Sequence, residues 1–241
     1  MTESARFSPL HALHEQLGAS FTDFAGWQMP VRYDSDLAEH HAVRTSAGIF
    51  DISHMAEIAV TGAGAAAFLN YALSGEFSAL AIGQARYTLL LNDAAGVIDD
   101  LIVYRLGNER FLVVANAGNR FPVLEALQHR TTGFGVEVRD ESDATAMIAV
   151  QGPNALSILE NAVGLHLAAE AAERPQSSLE SLRYYWSLPG VFLGNPVLIA
   201  RTGYTGEDGF EIYVDVAHAD ARWVALRDSG QSRGLVPCGL A

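Results

Sequence analysis

The sequence predicts an α+β protein, and three observations carry that reading. Residues 87–116 hold three strand-like runs joined by short turns, which read as an antiparallel meander. Elsewhere, helix-like and strand-like segments alternate without βαβ regularity. No repeat of fixed period interrupts them. With 241 residues, 49% of them hydrophobic, the chain can bury a sizeable core in one large domain or two modest ones.

Ser8, Pro9 and Gly18 bracket a short helix: a cap oxygen, a proline in the first turn and a glycine stop. Phe21–Tyr33 is aromatic-rich and broken by Gly26 and Pro30, so it reads as strand or ordered loop. Asp36–Ala47 reads as a helix stopped at Gly48. Ile49–Ile52 and Ala56–Val60 read as strands, and Gly64–Leu73 as an Ala-rich helix. The meander strands are Tyr87–Leu91, Val97–Leu106 and Arg110–Asn116, with turn chemistry at Asn92–Gly96 and Gly107–Asn108. Arg120–His129 is helical, Pro122 being tolerated in the first turn. Phe134–Val138 and Ala146–Val150 are strands, and Pro153 opens a helix to about Asn161. Leu165–Ser178, rich in Ala, Glu and Ser, reads as a surface excursion. Val191–Arg201 and Phe210–Val214 are strands around the turn TGYTGEDG, and Ala217–Leu226 is the last helix. The closing LVPCGLA reads as strand or loop caught in mid-course, as in a chain cut short.

The formal charge of -13 disfavours nucleic acid and anionic membrane, because an acidic surface repels phosphates. No apolar run reaches the length of a membrane span. The opening MTESARFSPL has neither an apolar signal core nor an Arg-rich presequence, so a soluble, cytoplasmic protein is expected. One cysteine, Cys238, excludes an internal disulfide and any cysteine-based metal cage. Between Pro237 and Gly239 it reads as a buried, inert thiol. Two histidine groups invite a metal: His11, His14 and Glu15, and Glu39, His40 and His41. Neither has the spacing of a two-histidine metal helix, so solvated side chains and no metal are expected.

Three stretches could carry chemistry. GVIDDLIVY (Gly96–Tyr104) sets Asp99 and Asp100 inside an apolar strand. Neighbours on a strand point to opposite faces, so both cannot look into water if one face is covered. An unpaired carboxylate in an apolar setting costs roughly several kcal/mol. The pair therefore marks either a used carboxylate or a strand end with one acid solvated and one capping a turn. TGAGAAA matches a dinucleotide fingerprint in spacing at Gly62, Gly64 and Ala67, with the pyrophosphate resting on a helix N-terminus. No strand ending in an acidic residue follows at the expected distance. RTGYTGEDGFE (Arg201–Glu211) combines three glycines, the flat face of Tyr204 and the carboxylate of Glu211. It suits a planar heterocycle with N–H groups along one edge, or equally a glycine-rich hairpin with solvated acids.

DFAGWQMP (Asp23–Pro30), HHAVRTSAGIFDISHM (His40–Met55), GVIDDLIVY, IAVQGPNA (Ile148–Ala155) and RTGYTGEDGFE occur in this order and spacing. Together they resemble the aminomethyltransferase (T-protein) family of the glycine cleavage system, from about Pro9 to Ala241. The resemblance implies a multi-lobed, folate-binding α+β fold with antiparallel sheets. Residues 1–53 and 142–241 would form a discontinuous first lobe, and 54–141 a second carrying the meander. On this resemblance the family's C-terminal β-rich lobe, and the arginine that follows CGLA in it, are expected to be missing from these residues. Ala95 stands where the family often has glycine.

The implied co-substrate is tetrahydrofolate, and the implied partner is the lipoylated H-protein. The implied reaction moves the methylene carbon from its aminomethyl-dihydrolipoyl group to tetrahydrofolate and releases ammonia. The catalytic carboxylate falls on Asp100 and the pterin-gripping one on Glu211. Aromatic residues of the folate channel fall on Tyr87, Tyr204 and Tyr185, with Asn116 as a further candidate. Such a carboxylate would stabilise developing positive charge and take a proton from the folate amine, and burial would raise its basicity. Three alternatives stand beside this: a folate-dependent demethylase of the same superfamily, a non-catalytic folate-binding module, and a dinucleotide-binding oxidoreductase resting on residues 62–67.

Overall fold

A computed structural model describes residues 5–241, so expectations that rest on residues 1–4 lie outside it. In chain order the elements are β1 (Arg6–Phe7), α1 (His11–Gln16), β2 (Ser20–Phe24), β3 (Trp27–Arg32), α2 (Asp36–Thr45), β4 (Ala47–Asp51), β5 (Ala56–Thr61), α3 (Ala65–Ala72), β6 (Ala85–Leu91), β7 (Val97–Arg105) and β8 (Arg110–Ala115). There follow α4 (Arg120–His129), β9 (Glu137–Asp140), β10 (Thr145–Gln151), α5 (Ala155–Glu160), β11 (Leu165–Leu167), β12 (Trp186–Phe192), β13 (Asn195–Arg201), β14 (Gly209–Asp215), α6 (Ala219–Gly230) and β15 (Leu235–Pro237). The chain divides into two compact units. One runs up to His54 and includes Ala144–Tyr184 and Leu188–Ala241; the other holds Met55–Asp143 and Tyr185–Ser187.

The first unit carries the sheets β1-β3-β2 and β11-β12-β13-β14-β10-β4-β15. Its longest ladder pairs β10 with β14 antiparallel, from Thr145↔Asp215 to Gln151↔Gly209. The other edge of β10 pairs antiparallel with β4, and β15 runs parallel to β4. Helix α2 starts where Ser35 Oγ accepts from Ala38 N, with Asp36 and Glu39 in its first turn, where the helix dipole favours acids. Two expectations need correction. Val191–Arg201 is not one strand: Leu193 and Gly194, both at positive φ (48° and 82°), turn it into the β12–β13 hairpin. The excursion after Leu165 contains β11, which pairs with β12 through Leu165↔Phe192.

His14 is also corrected. It is fully buried rather than solvated. Its Nε2 lies 2.9 Å from Asp51 Oδ2, and Tyr33 Oη lies 2.8 Å from its Nδ1. Asp51, at the end of β4, also accepts from Ser8 Oγ and Ser53 N. Burial alone would push the Asp51 carboxyl up; the bonds from His14, Ser8 and Ser53 bring it below its usual value. Tyr33 is raised above the ordinary phenol range, first by burial and then by the carboxylates of Asp51 and Glu39. Trp223 of α6 packs edge-on against His14, with centroids 5.0 Å apart. A polar chain thus pins α1 to the sheet inside an otherwise apolar core, and every described member is partnered.

The second unit is a five-stranded sheet, β6-β7-β8-β5-β9. Its meander is antiparallel, as the turn chemistry requires. One face buries Ile58, Val60, Leu101 and Val103 with Phe68 and Leu69 of α3 and Val123 and Leu127 of α4. Strand β9 begins later than expected, because Gly133 and Gly135 take positive φ (87° and 64°) before it. The dinucleotide reading of residues 62–67 fails here. Strand β5 pairs antiparallel on both sides, with β8 and β9, so no βαβ unit exists. The glycines serve packing instead: a Cβ on Gly62 would lie 2.5 Å from Gly135 O, and one on Gly64 would strike the Phe134 carbonyl.

Glu57 of β5 is 1% exposed, and neither carboxylate oxygen has a hydrogen-bond partner among the described residues. Arg120 is committed to Asp140 (2.7 Å) and Asp143 (2.7 Å). Burial therefore raises the Glu57 carboxyl well above its usual value, and Arg120 offsets only part of the rise. A raised folded-state value gives stability that is present at acid pH and lost as pH climbs through that value. Glu57→Gln removes the titration. Thermal unfolding should show the variant gaining on wild type from about pH 5 to about pH 8, by about 2–4 °C for each kcal/mol. A gap that does not change with pH would show that Glu57 is charged in the folded chain.

Candidate functional site

The sequence-derived candidates fall into two groups, one in each unit. In the second unit, alternation along β7 separates the adjacent acids. Asp99 is 3% exposed, and Asp100 is open to solvent. The expected burial of Asp100 is thus corrected: the buried carboxylate is its neighbour. Asp99 turns to the helical side. Its Oδ2 accepts from Asn116 N (2.9 Å), and its Oδ1 accepts from Asn116 Nδ2 (3.0 Å) and Asn119 Nδ2 (2.6 Å). The same Asn116 amide donates to Asp100 Oδ1 (3.0 Å), while Tyr87 Oη donates to Asp100 Oδ2 (3.2 Å).

Tyr87 reaches Asp100 because β6 and β7 pair Tyr87↔Ile102 and Leu89↔Asp100, one step apart on the same face. The ladder is irregular next to the acids, shifting between Leu90 and Leu91, and such bulges re-aim side chains. The structure therefore brings Asp100, Tyr87 and Asn116 together. Tyr185 stands in the same unit at positive φ (62°), its carbonyl accepting from Ala85 N at the start of β6 (2.7 Å). The role of Asp99 as the anchor of Asn116, and that of Asn119, escaped the sequence reading. The signal was present in the alternation itself, which left one of the two acids to be satisfied indoors.

In the first unit a cavity of about 390 Å³ opens beside β14. A volume of that size suits a small heterocyclic ligand. Glu211 lines it from β14, flanked across the sheet by Ala149 and Ala200. Two alanines beside a carboxylate leave the space that larger side chains would fill. Glu211 Oε2 accepts from Thr202 Oγ1 (2.6 Å), which fixes the carboxylate's rotamer. Tyr204, at the apex of the turn, also lines the cavity and has a fully exposed side chain. Cys238 lies in the wall, buried as expected, with its thiol pushed up to about 12 by burial and by Glu39.

Glu39 was expected to be one of a solvated group. It is instead a buried clamp. Its Oε1 accepts from Tyr33 N (2.8 Å) and Asp34 N (3.1 Å), and its Oε2 accepts from Gly239 N (2.8 Å). That last bond ties residues 239–241 against β3, where Leu240 N reaches Pro30 O (3.0 Å) and Ala241 N reaches Val31 O (3.2 Å). The cavity wall they form is thus held by one carboxylate and two backbone bonds to β3. Among the described residues no cluster of three or more His, Cys, Asp or Glu could hold a metal, and no helix is long and apolar enough to cross a membrane.

An α+β chain with antiparallel sheets, a carboxylate facing a ligand-sized cavity and a second carboxylate held by a phenol and an amide has the makings of a small-molecule-binding catalytic fold. The family profile of the GCVT N-terminal domain matches residues 10–241, and the chain belongs to that family. It is 53% identical over 245 aligned residues to an aminomethyltransferase of Corynebacterium jeikeium, covering 100% of this chain and 63% of that relative. An aminomethyltransferase of Streptomyces avermitilis is 52% identical, with 61% of its length covered. The crystal structure of the glycine cleavage system aminomethyltransferase T from Bartonella henselae superposes with a TM-score of 0.83 at 41% identity, over 98% of this chain and 60% of that one. The chain therefore spans less than two thirds of the length of these relatives.

Removing the Glu39 carboxylate leaves three backbone N–H groups without their acceptor. Glu39→Ala should cost about 1–3 kcal/mol in urea unfolding, the scale of one buried group left unsatisfied, because of the three only the Gly239 N–H is buried. A loss below about 0.5 kcal/mol, the scale of an ordinary surface substitution, would show that the clamp contributes nothing.

Proposed function

We propose that the cavity beside Glu211 takes the pterin ring of tetrahydrofolate, and that the chain serves folate-dependent aminomethyl transfer in glycine cleavage. One observation carries this: a fixed carboxylate faces a cavity of heterocycle size, flanked by alanines and by Tyr204. A carboxylate accepts two N–H bonds from such a ring edge in a way that no neutral side chain matches. The family to which the chain belongs and the printed names of its relatives support the same reading.

In this proposal the lipoylated H-protein brings an aminomethyl group bound through sulfur. The C–S bond breaks as the carbon takes on iminium character, and the folate amines capture it in two bonds. Ammonia leaves, and the sulfur departs as dihydrolipoyl thiolate. Asp100 faces that positive charge and accepts a proton from the folate amine. Its carboxylate is already oriented by Tyr87 and Asn116, which is the preorganisation such a step needs. The single buried cysteine fits a reducing, cytoplasmic compartment. No metal is required by this chemistry.

Replacing Asp100 with Asn keeps the shape and removes the charge. Single-turnover transfer from loaded H-protein should fall by about two orders of magnitude or more, the scale of one positioned acid–base group. Near-normal turnover in Asp100→Asn alongside loss in Asp99→Asn would move the role to the neighbour. Glu211→Gln should weaken calorimetric folate affinity by about tenfold or more, the scale of a charge-assisted bond. Unchanged affinity would remove Glu211 from the pterin site.

A further inference from the structure

Gln151 closes β10 opposite Gly48 of β4 and Gly209 of β14. It is 1% exposed, yet it is an amide and not an apolar side chain. Its Nε2 donates to Thr202 O (3.0 Å) and reaches Phe210 O at 3.5 Å, while its Oε1 accepts from Thr205 Oγ1 (3.1 Å). These three contacts fall on both arms of the irregular turn between β13 and β14. A Cβ on Gly209 would lie 2.5 Å from the Gln151 amide carbon, and one on Gly203 would strike Oε1. Two glycines of the turn are therefore folded around one glutamine, and their missing side chains are the space it occupies.

The consequence reaches the cavity. Thr202, whose carbonyl Gln151 holds, is the residue whose hydroxyl donates to Glu211. Thr205, whose hydroxyl Gln151 accepts, follows Tyr204 directly. We infer that Gln151 is a positioning residue: it stands in the cavity wall, buried but for 1% of its surface, and fixes the shape of the turn 202–209, so that it sets Glu211 and Tyr204 toward the ligand through the turn. This rests on the cavity being the pterin site only for the identity of the ligand. The shape of the turn is a property of the free chain.

The test compares Gln151→Met, which fills similar volume and loses all three contacts, with Gln151→Glu, which keeps an acceptor for Thr205 and loses the donors. Two readouts are taken on the full chain: amide hydrogen exchange across residues 202–209, and the calorimetric Kd for 5-formyltetrahydrofolate. In both variants, exchange in the turn should rise by about tenfold or more while the ladder amides of β10 and β14 at 145–149 and 211–215 keep wild-type rates. The Kd should weaken by about tenfold, with Gln151→Glu no better than Gln151→Met because the carbonyl of Thr202 loses its donor in each. Turn exchange at wild-type rates in a folded variant would overturn the inference, and so would faster exchange spread evenly over the unit. If Gln151→Met does not fold, Gln151→Glu and Thr205→Val decide by the same exchange readout. Wild-type chain that fails to bind the folate while the turn loosens in the variants would instead remove the pterin reading and leave the positioning role standing.

Discussion

Side chains along a β-strand alternate between faces, and in this chain that alternation decides which carboxylates are presented. On β7 it sends Asp99 into the helical side, where Asn116 and Asn119 satisfy it, and leaves Asp100 on the open face with Tyr87. On β14 it sets Glu211 between Ala149 and Ala200 and toward the cavity. A one-residue slip of either ladder would turn each acid to the wrong face. The long β10–β14 pairing, which continues through seven residues to Gln151↔Gly209, makes such a slip costly in the first unit.

Both groups use the same construction. A buried polar residue is satisfied by backbone or amide groups, and it holds the residue that faces outward. Asp99 holds Asn116, which touches Asp100. Gln151 holds Thr202, which touches Glu211. Glu39 holds the last residues, which wall the cavity. Buried polar networks of this kind are costly when incomplete, so each holds its geometry narrowly when complete. Glu57 departs from this construction: neither of its buried carboxylate oxygens has a hydrogen-bond partner among the described residues. Burial favours its neutral form, and the structure shows no role for it.

Much of the fold was legible because it rests on local chemistry. The meander was written in turn residues, and α4 in a proline placed where a first turn tolerates one. Strand boundaries were less legible where a non-glycine residue takes positive φ, as at Leu193, because no composition signal marks it. His14 looked solvated because the partner that buries it, Asp51, lies 37 residues away in sequence. The same distance problem hid Gln151 and Glu39, whose partners lie 51 and 200 residues off. Asp100, Glu211 and Tyr204 stood out in their own stretches and took their roles from the family resemblance, while Tyr87 and Asn116 were named through the resemblance alone. Their contacts follow from strand register, which no single segment of the sequence reveals. The burial first assigned to Asp100 was a matter of parity, misjudged by one residue.

The central claim is that Glu211 grips a pterin ring. The most direct measurement is a crystal structure of this chain with 5-formyltetrahydrofolate. It should show two ring N–H groups within about 3 Å of the Glu211 carboxylate, the range of a charge-assisted hydrogen bond, with Tyr204 beside the ring. A pterin bound elsewhere, with no ring N–H near the Glu211 carboxylate and its cavity empty of ligand, would contradict the claim.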